Sequence, residues 1–347
     1  MLQVQHANFF IFGAGNRKKL LYKQGSLTNA LTGESIFNVD VKTESINDDA
    51  YSVTVNTLTG ACISIMEDEA GIHLDTNGNR ELLSASPVIL PDFAGHPYQR
   101  LLRILHHEIL INIVNGEPLP NFMVYKKPWY RDAAMMAMVL QKTGNESLLF
   151  NWIKNLRSPY DRNNHGNEES DNLGQVLYLI SCLDDAAGHA LIPVIMQEVK
   201  RWTIDNHLFG TTDYHKHPVY QTLWLKYGLQ QLGFNDTYRV PDIQDSYAPL
   251  FWWNKAENTF NRERSFADCR DYPYLTWAEA HFFADPPPLH FSGTRFPLTW
   301  EANASDADYS GIAIVDSALT KNKICMPHTW HAAEMFLYLI EQTATIG

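Results

Sequence analysis

The spacing of apolar positions changes once along this chain. Before about residue 90 they come in short runs cut by glycine. Asn8 to Phe12 stops at Gly13, Leu20 to Tyr22 stops before Gly25, and Ser52 to Val55 and Ala61 to Ile65 lie either side of Gly60. β-Branched and aromatic residues in such runs predict strands and turns. Beyond Pro91 the apolar positions fall three and four apart. Leu101, Leu102, Leu105, Ile109 and Ile113 predict a helix from Tyr98 to Val114, ended by Asn115-Gly116. Further helices are predicted over 133–140, 147–156, 173–183, 190–202, 219–232, 275–283 and 331–340, with a weaker segment over 304–319.

These helices alternate in character. The segment 190–202 carries a charged face with Glu198, Lys200 and Arg201, whereas 133–140 is apolar all round and must be buried all round. Alternating outer and inner helices predicts a mainly α fold, an α/α barrel of helical hairpins over 93–347, with a β-rich N-terminal segment over 1–92. The inner helices would open near Arg131, Asp171, Pro218, Thr276 and Thr329, a structural repeat without a sequence repeat. A plain stack of helical hairpins is the competing arrangement.

Composition narrows the function classes. The 347 residues are 45% hydrophobic and 19% charged, with a formal charge of −12. An acidic surface without a Lys/Arg run excludes a phosphate backbone as partner. No apolar stretch approaches the ~18 residues of a membrane helix. Met1 to Phe12 lacks a basic n-region and cleavage site, so no leader and a cytoplasmic setting are expected. Cys62, Cys182, Cys269 and Cys325 are too scattered for a disulfide framework or a zinc site. Gly13-Ala14-Gly15 lacks the third glycine of a nucleotide fingerprint and reads as a hairpin turn. No cofactor is called for, no metal ligand set emerges from His215-Lys216-His217, and the oligomeric state is left open.

The chemistry gathers where inner helices begin. Successive entrances read Trp129-Tyr130-Arg131-Asp132, Glu168-Glu169-Ser170-Asp171, Asp213-Tyr214-His215-Lys216-His217, Thr276-Trp277-Ala278-Glu279 and His328-Thr329-Trp330. Asp and Ser at a helix start have an ordinary explanation as caps. Trp, Tyr, His and Arg do not cap N-termini, so the entrances are expected to line one cleft. Aromatic residues at 12% of the chain suit a small-molecule or oligosaccharide substrate, since sugars bind on flat apolar platforms.

Trp129-Tyr130-Arg131-Asp132 ahead of an apolar helix resembles the Arg-Asp signature of the six-hairpin glycosidases, the glucoamylase-like superfamily. That resemblance covers about residues 96–343. It implies an Arg131–Asp132 pair gripping sugar hydroxyls, and Asp171 looks like the corresponding aspartate of the unsaturated glucuronyl hydrolases. No acid precedes the last inner helix, where glucoamylases carry their base; Glu334 lies inside it.

Glycosidic cleavage needs one protonated and one ionised carboxyl. The candidate catalytic residues are therefore Asp171, Asp132, Glu169 and Glu279: Asp171 or Glu169 as proton donor, Glu279 beside Trp277 next, and Asp132, held ionised by Arg131, binding hydroxyls or activating water. Trp129, Tyr130, Arg131, His217, Trp277, Glu301, His328 and Trp330 are the candidate substrate contacts. Two other classes stay open. One is a sugar epimerase of the N-acylglucosamine type using His as acid and base; the other is a non-catalytic carbohydrate-binding protein.

Overall fold

A computed structural model of the chain describes residues 9–243, 245, 247, 307–321, 323 and 329–341. Its first part is two antiparallel sheets. One has the order β1 (Phe9–Phe12), β2 (Leu20–Lys23), β3 (Ser26–Asn29), β4 (Ser35–Asn38). The other is a five-stranded meander of β5 (Val41–Asn47), β6 (Ser52–Thr57), β7 (Cys62–Glu67), β8 (Gly71–Thr76) and β9 (Asn79–Ala85). Alternate residues of β6 and β7, Val53, Val55, Ile63 and Ile65, are buried against Phe10, Phe12, Leu20, Tyr22 and Leu27 of the first sheet. The other face of β1 is buried too, since Phe9 and Ile11 pack with Phe122, Ile312 and Val315. Burial on both faces is why β1 reads as an unbroken apolar run.

The loop between β1 and β2 is filled from within. Gly13 sits at φ +124°, and a Cβ there would lie 2.6 Å from the Lys18 carbonyl oxygen. The Gly13 and Ala14 N–H groups donate to the buried Glu67 carboxylate at 3.0 and 2.7 Å, and Arg17 Nη1 does so at 3.0 Å. Lys19 Nζ donates to the carbonyls of Gly13 and Gly15. An internal carboxylate thus takes the donors that a phosphate would need.

The helices are α1 (Gln99–Leu110), α2 (Tyr130–Lys142), α3 (Ser147–Lys154), α4 (Asp171–Ser181), α5 (Leu191–Trp202), α6 (Pro218–Gln231), α7 (Ser317–Lys321) and α8 (Thr329–Leu339). They pack in the order α1, α8, α2, α4, α6, with α3 and α5 against α4. Residues Ala133 to Leu140 of α2 and Leu173 to Ile180 of α4 are all buried, while α5 buries a stripe of Leu191, Ile192, Ile195 and Val199. Gly174 and Gly228 let α4 and α6 touch backbone to backbone. A Cβ on Gly174 would come within 2.3 Å of the Trp224 carbonyl carbon, and one on Gly228 within 2.5 Å of the Gly174 oxygen.

Three expectations are corrected. The mainly α, α/α-barrel class does not hold: the described residues are about 35% helix and 22% strand, with nine strands in the two N-terminal sheets. Strands such as β5, exposed along most of its length, have no apolar pattern to reveal them. Second, α1 ends at Leu110, because Asn115 (φ +53°) and Gly116 (φ +79°) turn a short hairpin between β10 (Ile113–Val114) and β11 (Glu117–Pro118). Third, 304–319 is not one helix. It contains a 3₁₀ turn, Ser310–Ile314, and then α7, while 304–306 lie outside the described residues. The predicted helix 275–283 also lies outside them. Among the described residues no helix is long and apolar enough to cross a membrane.

Candidate active site

The N-termini of α2, α4, α6 and α8 meet at one end of the helical layer, and the polar side chains at those termini are in contact. Trp129 precedes α2 in extended conformation, and the Tyr130 N–H donates to Asp161 Oδ2 at 2.7 Å. Asp161 therefore caps α2, the role that Trp129 cannot fill. Tyr130 itself turns away from the cleft. Its hydroxyl donates to the Ser158 carbonyl at 3.0 Å, and its ring meets Trp152 edge-on.

Arg131 points inward and is 4% exposed. Its Nη2 donates to Asp213 Oδ1 at 3.1 Å, and its Nη1 lies 3.6 Å from Asp171 Oδ2. Trp330, Tyr247 and Trp129 surround the guanidinium, with ring centres 5.2, 5.7 and 5.8 Å from Cζ. Asp132 faces elsewhere: it accepts from Thr329 Oγ1 and the Trp330 N–H, each at 3.1 Å, and so caps α8. Consecutive helical residues diverge by about a quarter turn, so neighbours in sequence need not be partners in space. Arg131 faces Asp213 and Asp171, while Asp132 caps α8.

Asp171 opens α4 and is fully buried. Thr212 Oγ1 donates to its Oδ1 at 2.7 Å and Gln175 Nε2, one turn later, to its Oδ2 at 2.8 Å. Burial pushes this carboxyl up to about 7, with Glu169 adding and Arg131 opposing. Glu169 is also buried and raised, mainly by burial, against the pull of Arg131. Its Oε1 accepts from the Asp213 N–H at 2.5 Å and from Asn164 Nδ2 at 3.2 Å; its Oε2 makes no hydrogen bond among the described residues. Glu168 points outward instead, to Arg162 and Arg201 at 2.6 and 2.9 Å.

Asp213 reaches the cluster through a strained turn. Thr212 and His215 exchange both backbone hydrogen bonds, 2.8 and 3.0 Å, around Asp213 at φ +47° and Tyr214 at φ +65°. Two left-handed residues in a two-residue hairpin normally call for Asn and Gly. An Asp-Tyr pair there is costly, and such strain concentrates at functional sites. Asp213 Oδ1 also lies 3.4 Å from Asn164 Nδ2, and its Oδ2 accepts the Tyr247 hydroxyl.

His217 caps the arrangement on the α6 side. Its Nδ1 is 3.0 Å from Asp245 Oδ1, while Asp245 Oδ2 accepts the Tyr220 N–H at 3.1 Å in the first turn of α6. Tyr247 packs 4.5 Å from the His217 ring and stacks on Trp330 at 5.1 Å.

Asp171, Glu169, Arg131, Trp129, Trp330 and His217 thus share one region, with Asp132 behind it and Tyr130 outside. Trp277, Glu279, Glu301 and His328 lie outside the described residues. Asp161, Asn164, Thr212, Gln175, Asp245 and Tyr247 were not singled out from the sequence. Asp213 had a signal, since it heads the aromatic and histidine-rich entrance to α6; Asp245 and Tyr247 had none.

Charge balance sets what the cluster can do. Asp161, Glu169, Asp171 and Asp213 gather around the single guanidinium of Arg131, and burial raises Asp161 to about 6 as well. More carboxyls than cations in a buried space keep a proton bound near neutral pH. Among the described residues no group of His, Cys, Asp and Glu is arranged to hold a metal ion. Comparison with protein-family models, with curated proteins and with solved structures found no match.

Proposed function

We propose that the chain is a carbohydrate-active enzyme, a glycoside hydrolase, in which Glu169 donates the proton and Asp213, paired with Arg131, takes one from water. The observation that carries this reading is the Glu169–Asp213 contact: a buried, raised carboxyl whose Oε1 accepts the Asp213 N–H and whose Oε2 makes no hydrogen bond among the described residues, next to an Asp213 side chain paired with Arg131. Glu169 protonates the glycosidic oxygen as the carbon–oxygen bond breaks. Water then bonds to the anomeric carbon and gives its proton to Asp213. Asp171 is better placed as a positioning residue, because its side chain is fully buried whereas that of Asp213 is 37% exposed. The indoles of Trp129 and Trp330 supply the flat surfaces on which a sugar ring packs. A reducing, cytoplasmic setting accords with the free thiols of Cys62 and Cys182.

A screen of chromogenic glycosides and unsaturated uronides tests the reading, with release of the leaving group as the signal. The active substrate should lose ~10²-fold or more in turnover in Glu169→Gln. A second reading rests on His217, whose Nδ1 is held by Asp245 so that Nε2 is left to move a proton, as a sugar epimerase requires. Solvent deuterium entering a sugar carbon–hydrogen bond, with no leaving group released, would favour that reading and reject hydrolysis.

A further inference from the structure

Beside the carboxyl cluster lies a cavity of about 300 Å³, bounded on one side by Trp129 and Tyr125 and on the other by Asn163, Asn164 and Asp308. The two rings meet edge-on at 5.7 Å, which leaves the indole as a fixed wall. The two asparagines are oriented by their partners. Asn164, 6% exposed, gives its amide N–H groups to Glu169 and Asp213; Asn163 gives its own to the Pro128 carbonyl at 2.6 Å. Carboxylates and carbonyls accept, so the amide nitrogens must be the atoms facing them. That leaves each Oδ1 as the side-chain polar atom without a protein partner among the described residues, on two residues that both line the cavity.

The asparagine oxygens are acceptors, and Lys127 and His165 on the same lining offer donors, so a ligand with hydroxyls, donor and acceptor at once, can meet both. Lys126 lies close enough to Asp308 for their charges to attract. Lys126 and Lys127 on the lining are offset by Asp308 and, behind Asn164, by Glu169 and Asp213, so the cavity favours neither sign of charge. We propose that this cavity is a subsite for one uncharged sugar ring, seated on the Trp129 indole with hydroxyls donating to the Oδ1 atoms of Asn163 and Asn164. The size is at the lower end for small-molecule sites, which suits a single ring. The inference rests on the glycoside reading, since Asn164 joins the cavity to Glu169 and Asp213.

The test needs binding and no turnover. The full chain is titrated with methyl gluco-, galacto- and mannopyranosides, followed by tryptophan emission and calorimetry, with methyl glucuronide and glucosamine as charged comparators. A neutral glycoside should bind best. Ala307→Phe, which fills the cavity from a wall outside the carboxyl cluster, should weaken it by about tenfold or more, the equivalent of about 1.4 kcal/mol. Asn163→Ala, which removes one acceptor, should weaken it severalfold and serves if the larger substitution perturbs folding. Binding without hydrolysis of any glycoside would support the subsite and reject the proposed reaction. Hydrolysis with no neutral-sugar binding, equal affinity in both variants, or preference for a charged comparator would overturn the subsite.

Discussion

Replacing Asp171 with asparagine keeps the side chain's shape and removes its charge. In the folded protein this carboxyl titrates at about 7, against 3.8 for the unperturbed group. The folded chain therefore keeps a proton that the unfolded chain has released, so the contribution to stability falls as pH rises between those values. At about 1.4 kcal/mol per pH unit it amounts to about 4 kcal/mol, present in full below about pH 4 and lost above about pH 7. An amide does not titrate. It can turn its oxygen to Gln175 and Arg131 and its N–H groups to the Thr212 hydroxyl, so the existing partners are kept. Wild type and Asp171→Asn should thus unfold at similar urea concentrations near the acid end. At about pH 8.5 the variant should be more stable by about 4 kcal/mol, a figure that already includes the attraction of the carboxylate to Arg131. Urea unfolding followed by circular dichroism across this pH range measures the difference directly. Glu169 is raised in both proteins, and its slope cancels to first order in the comparison. Parallel stability curves, or a variant that loses ground as pH rises, would refute the assignment of a proton to Asp171.

Other outcomes follow from the same contacts. Glu169→Gln should leave the melting temperature near that of wild type while removing ~10²–10⁴ of turnover on whichever substrate is found; full activity would exclude Glu169 as the acid. Gly174→Ala should lower stability by about 1–3 kcal/mol in a urea titration, because its Cβ has no room against Trp224. Glu67→Gln should cost about 3–5 kcal/mol by stranding Arg17 in the β1–β2 loop. Burial opposes ionisation of Glu67, but His107, the Gly13 N–H and Arg17 prevail and hold it at about 2, below the ordinary 4.5. Its contribution is therefore complete above about pH 4.5 and disappears as pH falls toward about 2, so wild type and variant should converge in acid.

The sequence was legible where one physical cause acted alone. The wholly apolar stretch Ala133 to Leu140 had to be buried, and all of it is. The alternation Val53, Val55 against Thr54 showed a strand with one wet face. Strand β5 reads Val41-Lys42-Thr43-Glu44-Ser45-Ile46-Asn47; it is held mainly by backbone pairing to β6, and backbone bonds leave no mark on side-chain pattern. The site divides the same way. Helix entrances could be located from sequence, but side-chain direction at each entrance could not. Arg131 and Asp132 are adjacent in sequence, yet one turns to Asp213 and the other to α8. The reach of Asp213 depends on a left-handed turn made without glycine or asparagine, which no propensity would suggest.

The first strand and the last part of the chain complete each other. Phe9, Ile11 and Leu21 share a core with Tyr309, Ile312, Val315 and Leu319, and the Lys23 ammonium bonds to the Val315 carbonyl across 292 positions. During vectorial synthesis at about 5–20 residues per second, β1 is made about 15–60 s before residues 309–319 exist. Over that interval Phe10 and Phe12 can be covered by β6 and β7, whereas Phe9 and Ile11, on the opposite face, have only the partners between Ile111 and Tyr125. The nascent chain thus carries an incompletely covered apolar edge from early in translation, and closure waits until residues 309–319 have emerged. Holdase capture early in synthesis, and aggregation of fragments that stop short of residue 309, are the cellular costs of this arrangement.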